Sequence, residues 1–244
     1  MHAGFIAAEG TELRDEDRKK VREVEAFLRE IALHATKAKK DTPFVLVDAA
    51  AGKSCLGLLA AKLVFEPLGR AHRIHIVERD PGRVRAARDA AARLDLRAEV
   101  VITEADVSDA EAFPAAPSLV VALHACGSAS DAVIDTAIAI GARSIALVPC
   151  CTGRGVAGQT LAESLEQELH LPRCGPIRRR FVEAIVDSER VLRLEAAGYA
   201  TEAFELVPTT ITPYNILLRG RLLADPTRIE RAGRDLTKLR SRHP

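Results

Sequence analysis

The sequence predicts an α/β fold in which a mostly parallel central sheet ends in an antiparallel strand pair and carries helices on both faces. Short apolar segments alternate with alanine-rich segments between residues 44 and 149, which is the rhythm of β-α-β units. The apolar segments are near-continuous runs of Val, Ile and Leu, as in strands buried on both faces. Two later strands are joined by too few residues for a crossover helix, so we expect them to be antiparallel.

The individual elements follow from these runs and from residues that begin or end helices. Pro81 is a favoured first helical residue, and Gly141 and Gly198 follow predicted helix ends. The predicted strands are Phe44–Asp48, Arg73–Glu78, Ala98–Thr103, Ser118–Leu123, Ser144–Pro149, Thr201–Val207 and Asn215–Gly220. The predicted helices are Arg14–Lys39, Ser54–Phe65, Pro81–Leu94, Ser130–Ile140, Leu161–Leu169 and Arg178–Ala197, with helical spacing in the tail at Ile229, Leu236 and Leu239. We expect a helical extension over residues 1–40, an α/β domain over 41–222 and a basic C-terminal helix or tail over 223–244.

Composition and charge narrow the classes of protein. The 244 residues are 48% hydrophobic, enough for a sizeable core, and a net charge of +1 does not by itself indicate a nucleic-acid binder. Aromatic residues make up only 4%, which argues against a base-stacking surface. There is no apolar run of about 18 residues and no secretory signal pattern at the N-terminus. With an odd number of cysteines, five, these features favour a reduced, cytoplasmic protein without membrane partners; they do not predict an oligomeric state.

The loop after the first strand, Val47–Ser54, ends in the Gly-Lys-Ser of a phosphate-binding loop. A P-loop needs an earlier glycine, five positions before Gly52, where this chain has Val47. A dinucleotide loop needs Gly-x-Gly-x-x-Gly, of which only Gly52 and Gly57 offer parts. We therefore expect neither a nucleoside triphosphate nor a dinucleotide in this loop.

Acidic residues at three strand ends predict an adenosine site instead. Asp48 ends the first strand, Glu78 ends the second and Asp106 follows the third. A carboxylate at the position of Glu78 can accept hydrogen bonds from both hydroxyls of a ribose, and Asp106 is placed to meet an adenine amino group. These parts suit adenosine with a small charged appendage better than a pyrophosphate.

Longer motifs resemble those of class I AdoMet-dependent methyltransferases. The chain is similar to the branch whose loop reads Asp-x-Gly-Ala-Gly-Lys-Gly, with His-x-Cys-Gly after strand four and Cys-Cys after strand five. That branch includes tRNA 2'-O-methyltransferases and methyltransferase-like proteins. The corresponding segments here are VDAAAGKSCLGLLAA, ALHACGSASD and LVPCC, with KKVREV resembling the Lys-Lys-x-x-Glu-Val of the leading helix. The resemblance spans about Lys19 to Cys151, with a looser echo over Thr212–Gly220, and implies a Rossmann-like domain that binds AdoMet.

The resemblance also implies roles for single residues. The implied cofactor positions are Asp48, Ala50, Gly52 and Lys53 for the methionine part, Glu78 and Arg79 for the ribose, Asp106 and Val107 for adenine, and Leu123 and His124 near the methyl group. Two glycines of the family loop are Ala50 and Ser54 here. A methyl group at position 50 would strain the loop if that position requires a positive φ. A non-catalytic adenosyl-binding or scaffold protein is therefore an alternative.

A histidine and three cysteines follow two strands that we expect to be neighbours. His124, Cys126, Cys150 and Cys151 can therefore meet at the carboxyl edge of the sheet, where ligands of such folds bind. We take them as candidate catalytic residues, with His124 as a general base. The cysteines are alternatively zinc ligands or packing residues. Because Cys150 and Cys151 are adjacent and no Cys-x-x-Cys spacing occurs, no metal site is predicted.

Other segments bear on the methyl acceptor. The chain lacks the Asp/Asn-Pro-Pro-Tyr loop of many amino-group methyltransferases, which favours an oxygen, imidazole nitrogen or thiol acceptor over an exocyclic amine. Candidate substrate-binding residues are Arg178, Arg179 and Arg180, which can bind phosphate. Tyr214 and Asn215, from the weaker resemblance over Thr212–Gly220, are further candidates. The tail's basic excess fits either RNA contacts or a solvated helix. The glycine-rich Thr152–Gly158 could act as a lid.

We therefore predict an AdoMet-dependent methyltransferase whose acceptor is RNA, through a ribose hydroxyl. The choice of RNA rests on the family resemblance more than on charge. A small-molecule acceptor, methylated on oxygen, imidazole nitrogen or sulfur, is the main alternative.

Overall fold

A central sheet of seven strands organises the chain. The computed structural model describes residues 12, 14–39, 41–52, 56–149, 152 and 155–241. The strands are β1 (Phe44–Ala49), β2 (His72–Glu78), β3 (Glu99–Glu104), β4 (Leu119–Ala125), β5 (Ser144–Pro149), β6 (Tyr199–Glu205) and β7 (Ile216–Leu222). Their order across the sheet is β3-β2-β1-β4-β5-β7-β6.

The strand directions confirm the predicted fold class. Each pairing among β1 to β5 is parallel, and β7 runs antiparallel to both of its neighbours, β5 and β6. The antiparallel pair therefore joins the sheet through β7, which inserts between β5 and β6. The short connection from β6 to β7 permits this, because an antiparallel neighbour needs no crossover helix.

Helices cover both faces of the sheet, as predicted. They are α1 (Asp15–Lys37), α2 (Leu56–Ala60), α3 (Pro81–Arg93), α4 (Ser128–Ala139), α5 (Gln159–Glu168), α6 (Gly175–Ala196) and α7 (Pro226–Arg240), with a π-helical turn at Ala61–Phe65 and a 3-10 turn at Ala110–Ala112. Two helix starts have a clear chemical cause. Asp80 accepts a hydrogen bond from the Arg83 amide before Pro81, and Asp225 caps α7 in the same way before Pro226.

The first helix belongs to the core of the sheet. Val24, Phe27 and Ile31 of α1 are fully buried, in one cluster with Phe44 and Leu46 of β1. These positions recur at three- to four-residue spacing, which places them on one face of the helix. Complete burial of an aromatic or branched side chain contributes about 1.5–3 kcal/mol, so α1 is fixed against the sheet by its apolar face.

Most elements differ from their predicted extent by one to three residues at an end, and two differences change the local structure near the site. The helix after β1 was expected to be one α-helix, but α2 gives way to the π-helical turn at residue 61. Strand β4 was expected to end at Leu123 and instead continues to Ala125, with an irregular register against β5 at His124. Such a bulge re-aims a side chain, which matters for the site below. Within the described helices, none is both long and apolar enough to cross a membrane.

Candidate active site

A cleft of about 470 Å³ opens at the carboxyl edge of the sheet. This volume lies in the range typical of small-molecule sites. The edge is also where ligands of open α/β sheets bind. Lining residues named by the sequence prediction are Ala50, Gly52, Glu78, Arg79, Asp106, Val107, Leu123, His124 and Cys126.

The loop after β1 approaches the cleft through two residues in the left-handed backbone region. Ala50 has φ +53° and Gly52 has φ +58°. Gly52 can adopt this conformation without steric cost, whereas an alanine there costs about 1–2 kcal/mol. The amide of Gly52 donates a hydrogen bond to Oε2 of Glu78 at 2.7 Å. The position that the family fills with glycine therefore does require positive φ here, and Ala50 adopts it.

Glu78 is the buried carboxylate of the cleft. Besides the Gly52 amide, it accepts a hydrogen bond from the Asp80 amide at 2.9 Å through Oε1, and Arg83 lies 3.9 Å from Oε2. Each carboxylate oxygen can accept more than one hydrogen bond, so the side chain remains able to receive hydroxyl donors. Its two amide contacts hold it in one orientation facing the cleft.

Asp48 supports the loop from behind and is absent from the cleft lining. It is fully buried, and its Oδ2 accepts a hydrogen bond from the Gly57 amide at 2.8 Å. Burial raises the pKa of Asp48 to about 7. The hydrogen bond from the Gly57 amide opposes this shift, and the nearby charge of Glu78 adds to it. A β-carbon on Gly57 would lie 2.9 Å from Cγ2 of Ile74 and 3.2 Å from Cβ of Asp48. The close approach of α2 to Asp48 thus depends on Gly57.

Arg79 and Asp106 stand on the rim of the cleft. Nη1 of Arg79 lies 3.5 Å from Oδ2 of Asp106. Asp106 also accepts hydrogen bonds from the amide and hydroxyl of Ser108, and these, with Arg79, lower its pKa. The carboxylate is therefore ionised at neutral pH and held at the end of β3. Val107 and Leu123 add buried apolar surface to the same cleft.

His124, which lines the cleft, is paired with Glu23 of α1. Nε2 of His124 lies 2.6 Å from Oε2 of Glu23, and both side chains are mostly buried. His124 has φ +62° at the irregular point of β4. Non-glycine residues in this region store strain and cluster at functional sites. The bulge orients the imidazole so that it both contacts α1 and lines the cleft.

The remaining predicted catalytic residues are only partly described. Cys126 lines the cleft and is disulfide-bonded, in contrast to the reduced state expected of the cysteines. Lys53, Cys150 and Cys151 lie outside the described residues. In the part of the chain that the structure describes, no group of three His, Cys, Asp or Glu side chains could hold a metal ion.

Three of the five predicted substrate residues line a second pocket of about 210 Å³, next to the end of β5. Arg180, Tyr214 and Asn215 line it. Arg179 pairs with Glu183 at 3.6 Å and lies 6.0 Å above the ring of Tyr214. Arg178 is instead ion-paired with Glu166 and does not line the pocket.

A buried arginine completes the second pocket. Arg190 is 1% exposed and lies 3.0 Å from both Asp131 and Asp187. Its Nη2 atom has no hydrogen-bond partner among the described residues. Asp187 also lines the pocket, and burial raises its pKa despite the nearby guanidinium of Arg190. Arg190 thus lines the pocket, while its Nη2 is a buried donor without a described partner.

Sequence reasoning missed several of these residues. Glu23 and Lys20 both come from α1, and Lys20 lines the cleft. The KKVREV motif contains both and was the signal that could have identified them. No comparable local motif points to Arg190 or Asp187, whose role depends on how α6 packs against α4.

The fold and the cleft together define a class I AdoMet-dependent methyltransferase. The magnesium protoporphyrin IX methyltransferase ChlM from Synechocystis PCC 6803, solved with bound SAM, superposes with a TM-score of 0.54 at 8% identity, over 87% of this chain and 86% of that chain. The citrinin polyketide synthase CMeT domain superposes with a TM-score of 0.51 at 12% identity, over 86% of this chain and 57% of that chain.

Sequence comparison identifies the family. Residues 19–154, more than half of the chain, match the family described as a methyltransferase domain, and the chain belongs to that family. No curated protein matches the chain in sequence. The protein is therefore an enzyme that uses AdoMet to methylate an acceptor. The structural likenesses do not identify that acceptor.

Proposed function

We propose that this enzyme transfers a methyl group to a ribose hydroxyl of RNA, with His124 as the general base. The observation that carries the proposal is the 2.6 Å contact between His124 and Glu23 at the AdoMet cleft. A hydroxyl is a weak nucleophile until its proton is removed, and a base within reach of it contributes about 10²–10⁴-fold to the rate. A site whose methyl acceptor is already a thiolate would not need such a base.

The residues of the cleft fit the cofactor. Glu78 is a buried carboxylate that can accept further hydrogen bonds from the ribose hydroxyls of AdoMet. Arg79 and Asp106, at the rim of the cleft, would lie next to adenine. The backbone of Ala50 and Gly52 borders the space for the methionine part. When bound, AdoMet supplies a methyl group on a positively charged sulfur, which keeps the electron pair of the bond that breaks.

The base works through its carboxylate partner. With the Nε2–H of His124 donating to Glu23, the lone pair on Nδ1 is free to accept the proton that the acceptor hydroxyl loses. Glu23 then stabilises the imidazolium that forms and holds the ring in one orientation, as a carboxylate does in other base–carboxylate pairs. Glu23 is a positioning residue in this proposal, because it acts through His124.

The second pocket suits a nucleotide beside the methylated ribose. Arg180 lines this pocket close to Glu183, where burial raises the pKa of that carboxyl and the charge of Arg180 opposes the shift, and its guanidinium can bind a phosphate. Tyr214 offers a ring face for a base. The unpartnered Nη2 of Arg190 can donate to a base oxygen or nitrogen. These three residues can recognise a phosphate, the face of a base and a hydrogen-bond acceptor on the edge of that base, which occur together in a nucleotide.

The experiment is methyl transfer from radiolabelled AdoMet into total RNA, followed by alkaline hydrolysis. A 2'-O-methyl group blocks cleavage at its nucleotide, so label in alkali-resistant dinucleotides is the expected result. The variant His124→Asn should abolish most of the transfer and still fold, because asparagine tolerates positive φ. His170→Asn, also at positive φ but exposed, is the matched control. Label in RNA that alkali releases as mononucleotides would overturn the ribose assignment.

A small-molecule acceptor is the second candidate, and ion pairing in the tail favours it. Arg228 and Arg231 pair with Glu195, and Arg240 pairs with Glu189. Much of the basic excess that suggested RNA contacts is therefore neutralised within the protein. Label that appears only in the small-molecule fraction of a cell extract would select this candidate over RNA.

A further inference from the structure

A second large groove, of about 680 Å³, lies on the amino edge of the sheet, opposite the AdoMet cleft. It runs past the beginnings of β1, β4 and β5 and the end of β7. Its position follows from the register, in which Ser144 of β5 faces Arg221 of β7. None of the described residues assigned to cofactor or acceptor lines this groove.

The groove carries positive charge that the protein does not neutralise. Lys37, Lys39, Arg143 and Arg221 line it, are exposed and form no ion pair with any described residue. Arg70 adds a fifth cation, whose guanidinium donates to the backbone carbonyls of Ala38 and Lys39 rather than to an acid.

The acidic residues of the groove are already engaged. Glu30 and Glu202 both pair with Arg219, and Glu30 also contacts His34. Those two glutamates therefore cannot neutralise the four unpaired cations. Arg228 of α7 also lines the groove but pairs with Glu195, and Arg231, Arg234 and Arg240 of the same helix each have a carboxylate partner as well.

We propose that this amino-edge groove binds the phosphate backbone of single-stranded RNA. The groove spans β1, β4, β5, β7 and β6, which at about 4.8 Å per strand interval is roughly 19 Å. With an axial rise of about 3.4 Å per nucleotide along a stacked strand, this length accommodates on the order of five nucleotides. A single small anion would contact only one or two of the cations. The choice of RNA as the polyanion rests on the acceptor proposed above.

The test measures RNA binding without catalysis. A fluorescent oligouridylate is titrated with the full chain at several salt concentrations, comparing wild type with Arg143→Gln/Arg221→Gln. Each phosphate contact contributes about −0.7 to the slope of log K against log salt. The double variant should therefore lose about 1.4 from the slope and, at 0.1 M salt, bind roughly 25-fold more weakly.

The matched control removes the same charge elsewhere. Arg85→Gln/Arg88→Gln changes two exposed arginines of α3 that form no described ion pair and line neither the groove nor the cleft. It should bind RNA as wild type does. All variants should keep the wild-type melting temperature and AdoMet affinity, which shows that they are folded.

Three outcomes overturn the inference. They are an unchanged slope in the groove variant, an equal loss in the α3 control, or binding of tripolyphosphate as tight as that of the oligouridylate. The AdoMet-dependent labelling of RNA is measured separately. If labelling occurs while groove binding fails, only this inference is wrong; if groove binding holds while no RNA is labelled, the ribose acceptor is wrong.

Discussion

Glu23 and His124 lie 101 positions apart in the sequence, and their side chains meet at 2.6 Å. Glu23 is on the helix that precedes the sheet, and His124 is at the bulge near the end of β4. The carboxylate is buried, so its interaction with an imidazolium is screened less than that of a surface pair. In the proposed mechanism, α1 therefore contributes a positioning residue as well as side chains of the core.

Replacing Glu23 with Gln should lower kcat for methyl transfer about 10–100-fold and leave the dissociation constant of AdoMet unchanged. The amide keeps a hydrogen-bonding group next to His124 but cannot stabilise a positive imidazolium. The pH profile of kcat should also change shape, because the base loses its carboxylate partner. Glu25→Gln, on the exposed face of the same helix, is the control. Equal kcat in the two variants would contradict the positioning role.

Ala50→Gly should stabilise the protein by about 0.5–1 kcal/mol. The substitution relieves an alanine at φ +53°, a gain of about 1–2 kcal/mol, against about 0.5–1 kcal/mol for the extra freedom of glycine in the unfolded chain. Urea denaturation measures the difference. Ala51→Gly is the matched control, since Ala51 is a buried neighbour without positive φ, and it should be destabilising. Destabilisation by both changes would show that Ala50 is not strained.

Gly57→Ala should destabilise the protein by about 1–3 kcal/mol, the usual cost of overpacking. The new β-carbon would lie 2.9 Å from Ile74, so α2 must move away from β1 and from the carboxylate of Asp48. Gly233→Ala in α7 provides the comparison, because nothing lies within 4 Å of a β-carbon there. That control should be neutral or slightly stabilising, since alanine favours helix. Thermal unfolding of both variants tests the contrast.

Asp48 should make the folded state less stable as pH rises from about 4 to about 7. Its pKa in the folded protein is about 7, against 3.8 for an ordinary aspartate. The folded state therefore binds the extra proton in this window, and stability falls with pH. The loss is on the order of a few kcal/mol. Asp48→Asn cannot titrate, so its free energy of unfolding should lack this contribution. Parallel curves for wild type and variant between pH 4 and 7 would refute the raised pKa.

Glu30 changes the stability of the folded state with pH in the opposite direction. The useful quantity is therefore the difference in the free energy of unfolding between wild type and Asp48→Asn. Burial works against the charged form of Glu30, but His34 and Arg219 prevail and lower its pKa from 4.5 to about 2. Its stabilising effect is present above pH 4.5 and is lost as pH falls toward 2. Subtracting the Asp48→Asn curve from the wild-type curve removes this shared contribution.

Local patterns in the sequence predicted the sheet and the residues around the cleft, because both depend on short, continuous segments of the chain. Strand-end acids such as Glu78 and Asp106 can be found from position alone. The partner of His124 could not be found in this way, since it depends on how α1 crosses β4. Asp48 shows the same limit: its place at a strand end was predictable, whereas its burial behind the loop depends on the approach of Gly57. The insertion of β7 between β5 and β6 is likewise a choice among pairings that local sequence does not distinguish.

The path of α1 has a consequence for the preparation of shorter versions of this protein. Glu23 contacts β4 near one edge of the sheet, and Glu30, two turns later, pairs with Arg219 of β7. A fragment cut to begin at β1 would retain every strand and every acid of the cleft. It would nevertheless lose Lys20 from the lining of the cleft, the partner of His124 and a cover over Phe44. Such a trimmed clone is a poor starting point for crystallisation or activity screening, and boundaries should be drawn upstream of Asp15.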